Sequence, residues 1–110
     1  YNSAGCDQLL SLDKTHNLTA FTLMQNYPNP FNPITNVKYS IYEPSSVRIS
    51  IYSISGIWIR DLVDRYHNPG TYYAIWNSTN NNGLKVSSGV YIYKIVANDK
   101  TEIRKMLLAK

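Results

Sequence analysis

From Val37 onward the chain alternates apolar and polar residues with a period of two, the signature of half-buried strands. Val37, Tyr39 and Ile41 face one way against Lys38, Ser40 and Tyr42, and Glu43-Pro44-Ser45-Ser46 ends the run in a turn. Val47, Ile49 and Ile51 alternate with Arg48, Ser50 and Tyr52 as far as Ser55-Gly56. Ile57, Ile59 and Leu62-Val63 make a shorter, less regular run, and Asp64 to Gly70 reads as a loop closed by Asn68-Pro69-Gly70. Tyr72, Ala74 and Trp76 alternate with Tyr73 and Ile75, followed by a polar loop whose Asn80-Asn81-Asn82-Gly83 suits left-handed backbone. Tyr91, Tyr93 and Ile95 face one way and Val90, Ile92 and Val96 the other, which predicts a central strand. After Asn98-Asp99-Lys100 a final run, Thr101 to Leu108, slips its alternation near Lys105-Met106, so a bulge is expected there.

The start of the chain is different. Residues 1–20 are polar and aperiodic and read as a linker or the tail of a preceding domain. Phe21 and Leu23 alternate with Thr22 and Met24, and then come Tyr27-Pro28-Asn29-Pro30-Phe31-Asn32-Pro33. Proline fixes φ, removes an N–H donor and holds its predecessor in extended geometry, so this stretch is neither helix nor central strand. A rigid extended segment is expected, with Tyr27 and Phe31 as candidates to pin it to a core.

About seven short strands without a helical stretch predict an antiparallel immunoglobulin-like β-sandwich. Gly89-Val90-Tyr91-Ile92-Tyr93 has the spacing of a tyrosine corner centred on Tyr91, and Trp76 is expected to fill the space between the sheets. The 110 residues make one domain, too short for a catalytic barrel or a doubly wound nucleotide-binding fold. With 44% hydrophobic and 16% charged residues the chain is too apolar to be disordered, and its ten Tyr suit half-buried strand positions.

Net charge is +4, well short of the dense basic stripe of a nucleic-acid binder, so none is expected as partner. No apolar run is long enough for a transmembrane helix. Cys6 is the single cysteine, so no intrachain disulfide forms. His16 and His67 both fall in polar loop contexts, and neither they nor Asp61 and Asp64 sit in a nucleophile or metal-ligand pattern. The loop from Asn77 to Gly83 offers oxygens but no carboxylate for calcium. No catalytic residue, metal or cofactor is expected, and the chain reads as non-enzymatic.

Three stretches carry a family resemblance. Gln25-Asn26-Tyr27-Pro28-Asn29-Pro30-Phe31-Asn32-Pro33-Ile34-Thr35 resembles the opening motif of type A C-terminal sorting domains of the type IX (Por) secretion system. Ser88-Gly89-Val90-Tyr91-Ile92-Tyr93-Lys94-Ile95 is similar to that family's penultimate-strand motif, and Arg104-Lys105-Met106-Leu107-Leu108-Ala109-Lys110 to its basic-apolar tail. The resemblance covers residues 21–110 and extends to FlgD-type immunoglobulin-like domains, from which the Asn-rich loop after Trp76 departs. It implies a non-enzymatic module, attached to an N-terminal cargo domain, that sends its cargo through the periplasm to the cell surface or outside in Bacteroidota. The implied partners are an outer-membrane translocon, a shuttle protein and a sortase. Recognition would fall on Gly89, Tyr91, Tyr93, Arg104, Lys105, Met106, Leu107 and Lys110, while Pro28, Asn29, Pro30, Phe31 and Trp76 form the structural motif.

The last strand is expected at a sheet edge with free backbone groups for a partner strand. Deleting Arg104 to Lys110 is expected to leave the sandwich mostly folded. The alternative is a cell-surface module, either carbohydrate-binding or adhesive through a platform of Tyr73, Ile75 and Trp58, or a domain that packs subunits in a surface assembly.

Overall fold

Alternating burial makes most of the strands. In the computed structural model, which describes residues 20–109, the runs 35–41, 70–76, 89–97 and 100–108 bury one parity of their side chains, whereas 58–67 does not alternate. The strands are β1 (Phe21–Leu23), β2 (Thr35–Ile41), β3 (Ser45–Ser53), β4 (Trp58–His67), β5 (Gly70–Trp76), β6 (Gly89–Ala97) and β7 (Lys100–Leu108). They form two antiparallel sheets, ordered β1-β2-β5 and β4-β3-β6-β7. Residues 1–19 and 110, and with them Cys6, His16, the expected linker and Lys110, lie outside the described residues.

The sheets face each other across one core: Val37, Tyr39, Ile41 and Trp76 from one side, Val47, Ile49, Ile51, Tyr93, Ile95, Met106 and Leu108 from the other. Trp76 is fully buried, as expected, with Phe31 and Tyr91 rings against it at centroid distances of 5.8 and 5.2 Å. The Tyr91 hydroxyl donates to the Ser87 carbonyl at 2.6 Å, four residues upstream, which is the tyrosine corner the spacing predicts.

Three local expectations are corrected. Asp64 to His67 is not loop but the end of β4, paired through to Ser45↔His67. His67 is accordingly buried rather than solvated. Its Nδ1 lies 3.2 Å from the Arg65 carbonyl, which only accepts, so Nδ1 carries the proton and Nε2 accepts from the Tyr39 hydroxyl at 2.8 Å. The expected bulge at Lys105-Met106 is absent: β6 and β7 pair without a break from Gly89↔Leu108 to Ala97↔Lys100. The apparent slip arises because Ile103 and Leu107 are apolar yet point outward, while Met106 and Leu108 keep the inward parity. The bulges are in β4, where Ile59 and Leu62 are extra residues against β3. They bend that edge and turn Ile59 and Leu62 against the core. In the polar loop, positive φ falls on Ser78 and Gly83, not on the asparagines.

Candidate functional site: a clasp between the proline segment and the last strand

Between β1 and β2 the chain cannot form an ordinary ladder, because Pro28, Pro30 and Pro33 carry no N–H. It is held by the groups that remain. Tyr27 and Asn36 exchange backbone bonds of 2.9 and 3.0 Å, tying the segment to β2. Asn26 is buried: its N–H donates to the Tyr93 hydroxyl at 2.9 Å, and its side-chain amide donates to Thr35 Oγ1 at 2.9 Å and the Pro28 carbonyl at 3.1 Å. The Tyr93 hydroxyl donates in turn to the Met24 carbonyl at 2.8 Å. Of the two aromatics expected to anchor the segment, Phe31 does so at 2% exposure, whereas Tyr27 is 81% exposed.

The segment then meets β7. Phe31 N–H donates to the Leu107 carbonyl at 3.0 Å, Ala109 N–H donates to the Phe31 carbonyl at 2.8 Å, and Leu107 N–H donates to Asn29 Oδ1 at 2.9 Å. Gln25 Nε2 donates to the Lys105 carbonyl at 2.7 Å. Two stretches almost 80 residues apart thus form one clasp (78 for Asn29 and Leu107). Arg104 closes the same side: its Nε donates to the Leu23 carbonyl at 2.9 Å, and its guanidinium pairs with Glu102 at 3.2 Å.

This arrangement corrects the expectation of free backbone groups along the tail. β7 is an edge strand, but from Lys105 to Ala109 its outward main-chain groups already pair with the proline segment. A partner strand could pair there only by displacing that segment. It also corrects the expected tolerance to deletion, since Met106 and Leu108 are core residues.

The sequence-derived recognition residues separate accordingly. Tyr91, Tyr93 and Met106 are buried, and burial pushes the Tyr91 and Tyr93 phenols above their ordinary pKa; for Tyr93 the Asn26 N–H and Arg104 oppose that rise. Gly89 opens β6 at φ 146°, a conformation side chains rarely adopt. Lys105 and Leu107 point to solvent. Pro28, Asn29 and Pro30 lie exposed along the clasp. The binding platform drawn from sequence does not assemble: Tyr73 and Ile75 share the outer face of β5, but Trp58 lies on the opposite sheet, its Nε1 donating to Asp61.

Sequence reading missed Asn26, whose place before Tyr27-Pro28 gave no periodic signal, and the outer face of the four-stranded sheet. On that face Ser50 pairs Lys94, Tyr52 pairs Ile92, Ile92 pairs Lys105 and Val90 pairs Leu107. The Lys94 ammonium stands 5.1 Å from the Tyr52 ring centroid. Burial raises the Asp61 pKa, but hydrogen bonds from Ser50 and Trp58 and the charge of Arg48 outweigh it, holding the carboxyl below its ordinary value.

The model of one protein family, the secretion system C-terminal sorting domain, matches residues 25–109. The chain belongs to that family. The sorting-domain match runs from Gln25 to Ala109, the outermost residues of the clasp. Such domains are the C-terminal sorting signals of type IX secretion, which implies a cargo precursor, interaction with that machinery, and export to the cell surface or outside. Among solved structures, the sorting domain is similar to part of dimeric latent PorU from Porphyromonas gingivalis (TM-score 0.68, 17% identity), covering 86% of this chain and 10% of that one. It is also similar to part of PorZ, described as an essential bacterial surface component of the type IX secretion system of the same organism (TM-score 0.54, 18% identity), covering 78% of this chain and 11% of that one. These likenesses establish a shared fold, and the chain spans about a tenth of either protein. No curated protein matches the chain by sequence.

Proposed function

We propose that residues 21–110 act as a non-enzymatic address read in the folded state by the outer-membrane translocon and shuttle protein of the type IX system. Residues 1–20 form the linker to an N-terminal cargo domain, and a sortase acts in that polar stretch after passage through the periplasm. The observation that carries this reading is the clasp: the two motifs at the ends of the family match become one surface only when the sandwich is complete. Lys105, Leu107 and Lys110 make the contacts. Gly89, Tyr91, Tyr93, Arg104 and Met106 position the strand that carries them, and Pro28, Asn29, Pro30, Phe31 and Trp76 hold the clasp in place.

Fusion of the full chain to a periplasm-directed reporter in a type IX-competent host tests the reading. The unmodified fusion is expected in the medium or on the cell surface. Phe31→Ala, which removes a buried ring worth about 3–5 kcal/mol, is expected to hold it in the periplasm. Retention of the unmodified fusion, or export of the Phe31→Ala fusion at the unmodified level, refutes the reading.

A further inference from the structure

The outer face of β6 and β7 carries a pattern that packing does not account for. Along these two strands the outward positions are Val90, Ile92, Lys94 and Val96, opposite Leu107, Lys105, Ile103 and Thr101. Val90, Leu107 and Ile103 are 38%, 40% and 57% exposed. None of these eight positions is acidic, and among the described residues neither Lys94 nor Lys105 pairs with a carboxylate. The acids of this sheet's outer face are gathered on β4, where Asp64 meets Arg48 at 3.6 Å and Asp61 accepts from Ser50 and Trp58.

Beside the apolar strip lies a groove of about 290 Å³ lined by Arg48, Ser50, Tyr52, Asp64, Lys94 and Val96 among others, with Asp64 paired to Arg48. Ser50 is opposite Lys94 and Arg48 opposite Val96, so the two cations are diagonal neighbours across β3 and β6, roughly 7–8 Å apart at the backbone. A carboxylate entering there would meet the Lys94 ammonium, which pairs with no carboxylate among the described residues, and would share the Arg48 guanidinium with Asp64, with the Tyr52 ring as a wall. The groove and strip run without interruption into Lys105 and Leu107, the outward residues of the clasp strand.

We infer that this face docks an extended acidic segment of a protein in the secretion machinery, a carboxylate entering the Arg48–Lys94 groove and apolar side chains lying along Ile92, Val90, Leu107 and Ile103. The inference rests on the sorting role and names the surface that performs it. It follows from charge complementarity and from the occupied edge: with the main chain of residues 105–109 engaged, a partner at this end of β7 meets side chains on the face.

The test uses the reporter fusion with Arg48→Met/Lys94→Met, which removes both charges but keeps the aliphatic stems, and with Val90→Thr/Leu107→Thr. Tyr73→Thr/Ile75→Thr on the opposite sheet is the control. Each docking pair is expected to lower exported reporter at least tenfold, with the control at the unmodified level. Export of both docking pairs at the unmodified level overturns the inference, as does an equal fall in the control. Failure of the unmodified fusion to export refutes the sorting role instead. Thermal melts check folding. A second measurement needs no variant: a ten-residue peptide of alternating Glu and Val is titrated into the labelled full chain. Amide shifts are expected at Arg48, Tyr52, Ile92, Lys94 and Lys105 and not at Lys38 or Tyr73. Shifts that are absent, or spread equally over both sheets, overturn the inference.

Discussion

Removing Arg104 to Lys110 should destroy the fold and not merely the address. Met106 and Leu108 are 1% and 2% exposed, and truncating such a side chain to Ala costs about 2–5 kcal/mol. Losing both therefore removes about 4–10 kcal/mol, against a total domain stability of about 5–15 kcal/mol. The deletion also strips Phe31 of its partners at Leu107 and Ala109 and removes the β7 partners of Gly89 to Tyr93. By contrast, Lys105→Gln and Leu107→Thr change outward side chains and should each stay within about 0.5 kcal/mol. At ~4–8 °C per kcal/mol for a domain of this size, each point variant melts within a few degrees of the unmodified chain. Far-UV circular dichroism melts and urea titrations distinguish the cases. A deletion chain that still melts cooperatively within about 10 °C of the full chain would show that β7 is not integral to the core. If the melt is lost as expected, failed export of the deletion reports unfolding, and only the point variants report recognition.

Two further outcomes follow from buried polar groups. His67→Leu leaves the Tyr39 hydroxyl buried without its 2.8 Å partner, which should cost about 1–3 kcal/mol in urea titrations. Adding Tyr39→Phe should recover part of that loss, and strict additivity of the two changes would refute the coupling. At alkaline pH, desolvation pushes the Tyr39 phenol up to about 12, and burial also raises Tyr91 and Tyr93. An unfolded phenol ionises near pH 10, so above that pH the unfolded state releases protons that the folded state keeps. The tyrosine contribution to stability is complete below pH 10 and falls as pH rises toward 12. Absorbance titration at 295 nm should show late-ionising phenols that shift to the ordinary range in denaturant, and melts that are flat in pH between 9 and 12 would contradict the assignment.

Where burial alternates cleanly, as in Val37-Lys38-Tyr39 or Tyr91-Ile92-Tyr93, the strands were legible because periodicity reports which face meets the core. Tyr91 was legible as a corner because the requirement is local, a hydroxyl reaching back four residues. The sequence misled where a tertiary neighbour, not local pattern, decides burial. His67 ends a polar run, yet β2 places Tyr39 over it. Tyr27 looks like an anchor, but pairing with Asn36 leaves its ring in solvent and gives the anchoring to Phe31. The clasp was half legible: both motifs stood out, but nothing in one stretch names Leu107 as the partner of Asn29 and Phe31. The docking face was missed because its members come from different strands and align only through register.

The clasp ties the finished surface of the domain to the arrival of β7. Phe31 is synthesised early in the domain and Leu107 late, so until the ribosome has delivered β7 the main chain of Phe31 lacks its partners at Leu107 and Ala109. A chain cut short between β6 and β7 carries most of the domain's sequence but cannot close the clasp. Export licensed by such a feature discriminates against incomplete products without a separate proofreading step.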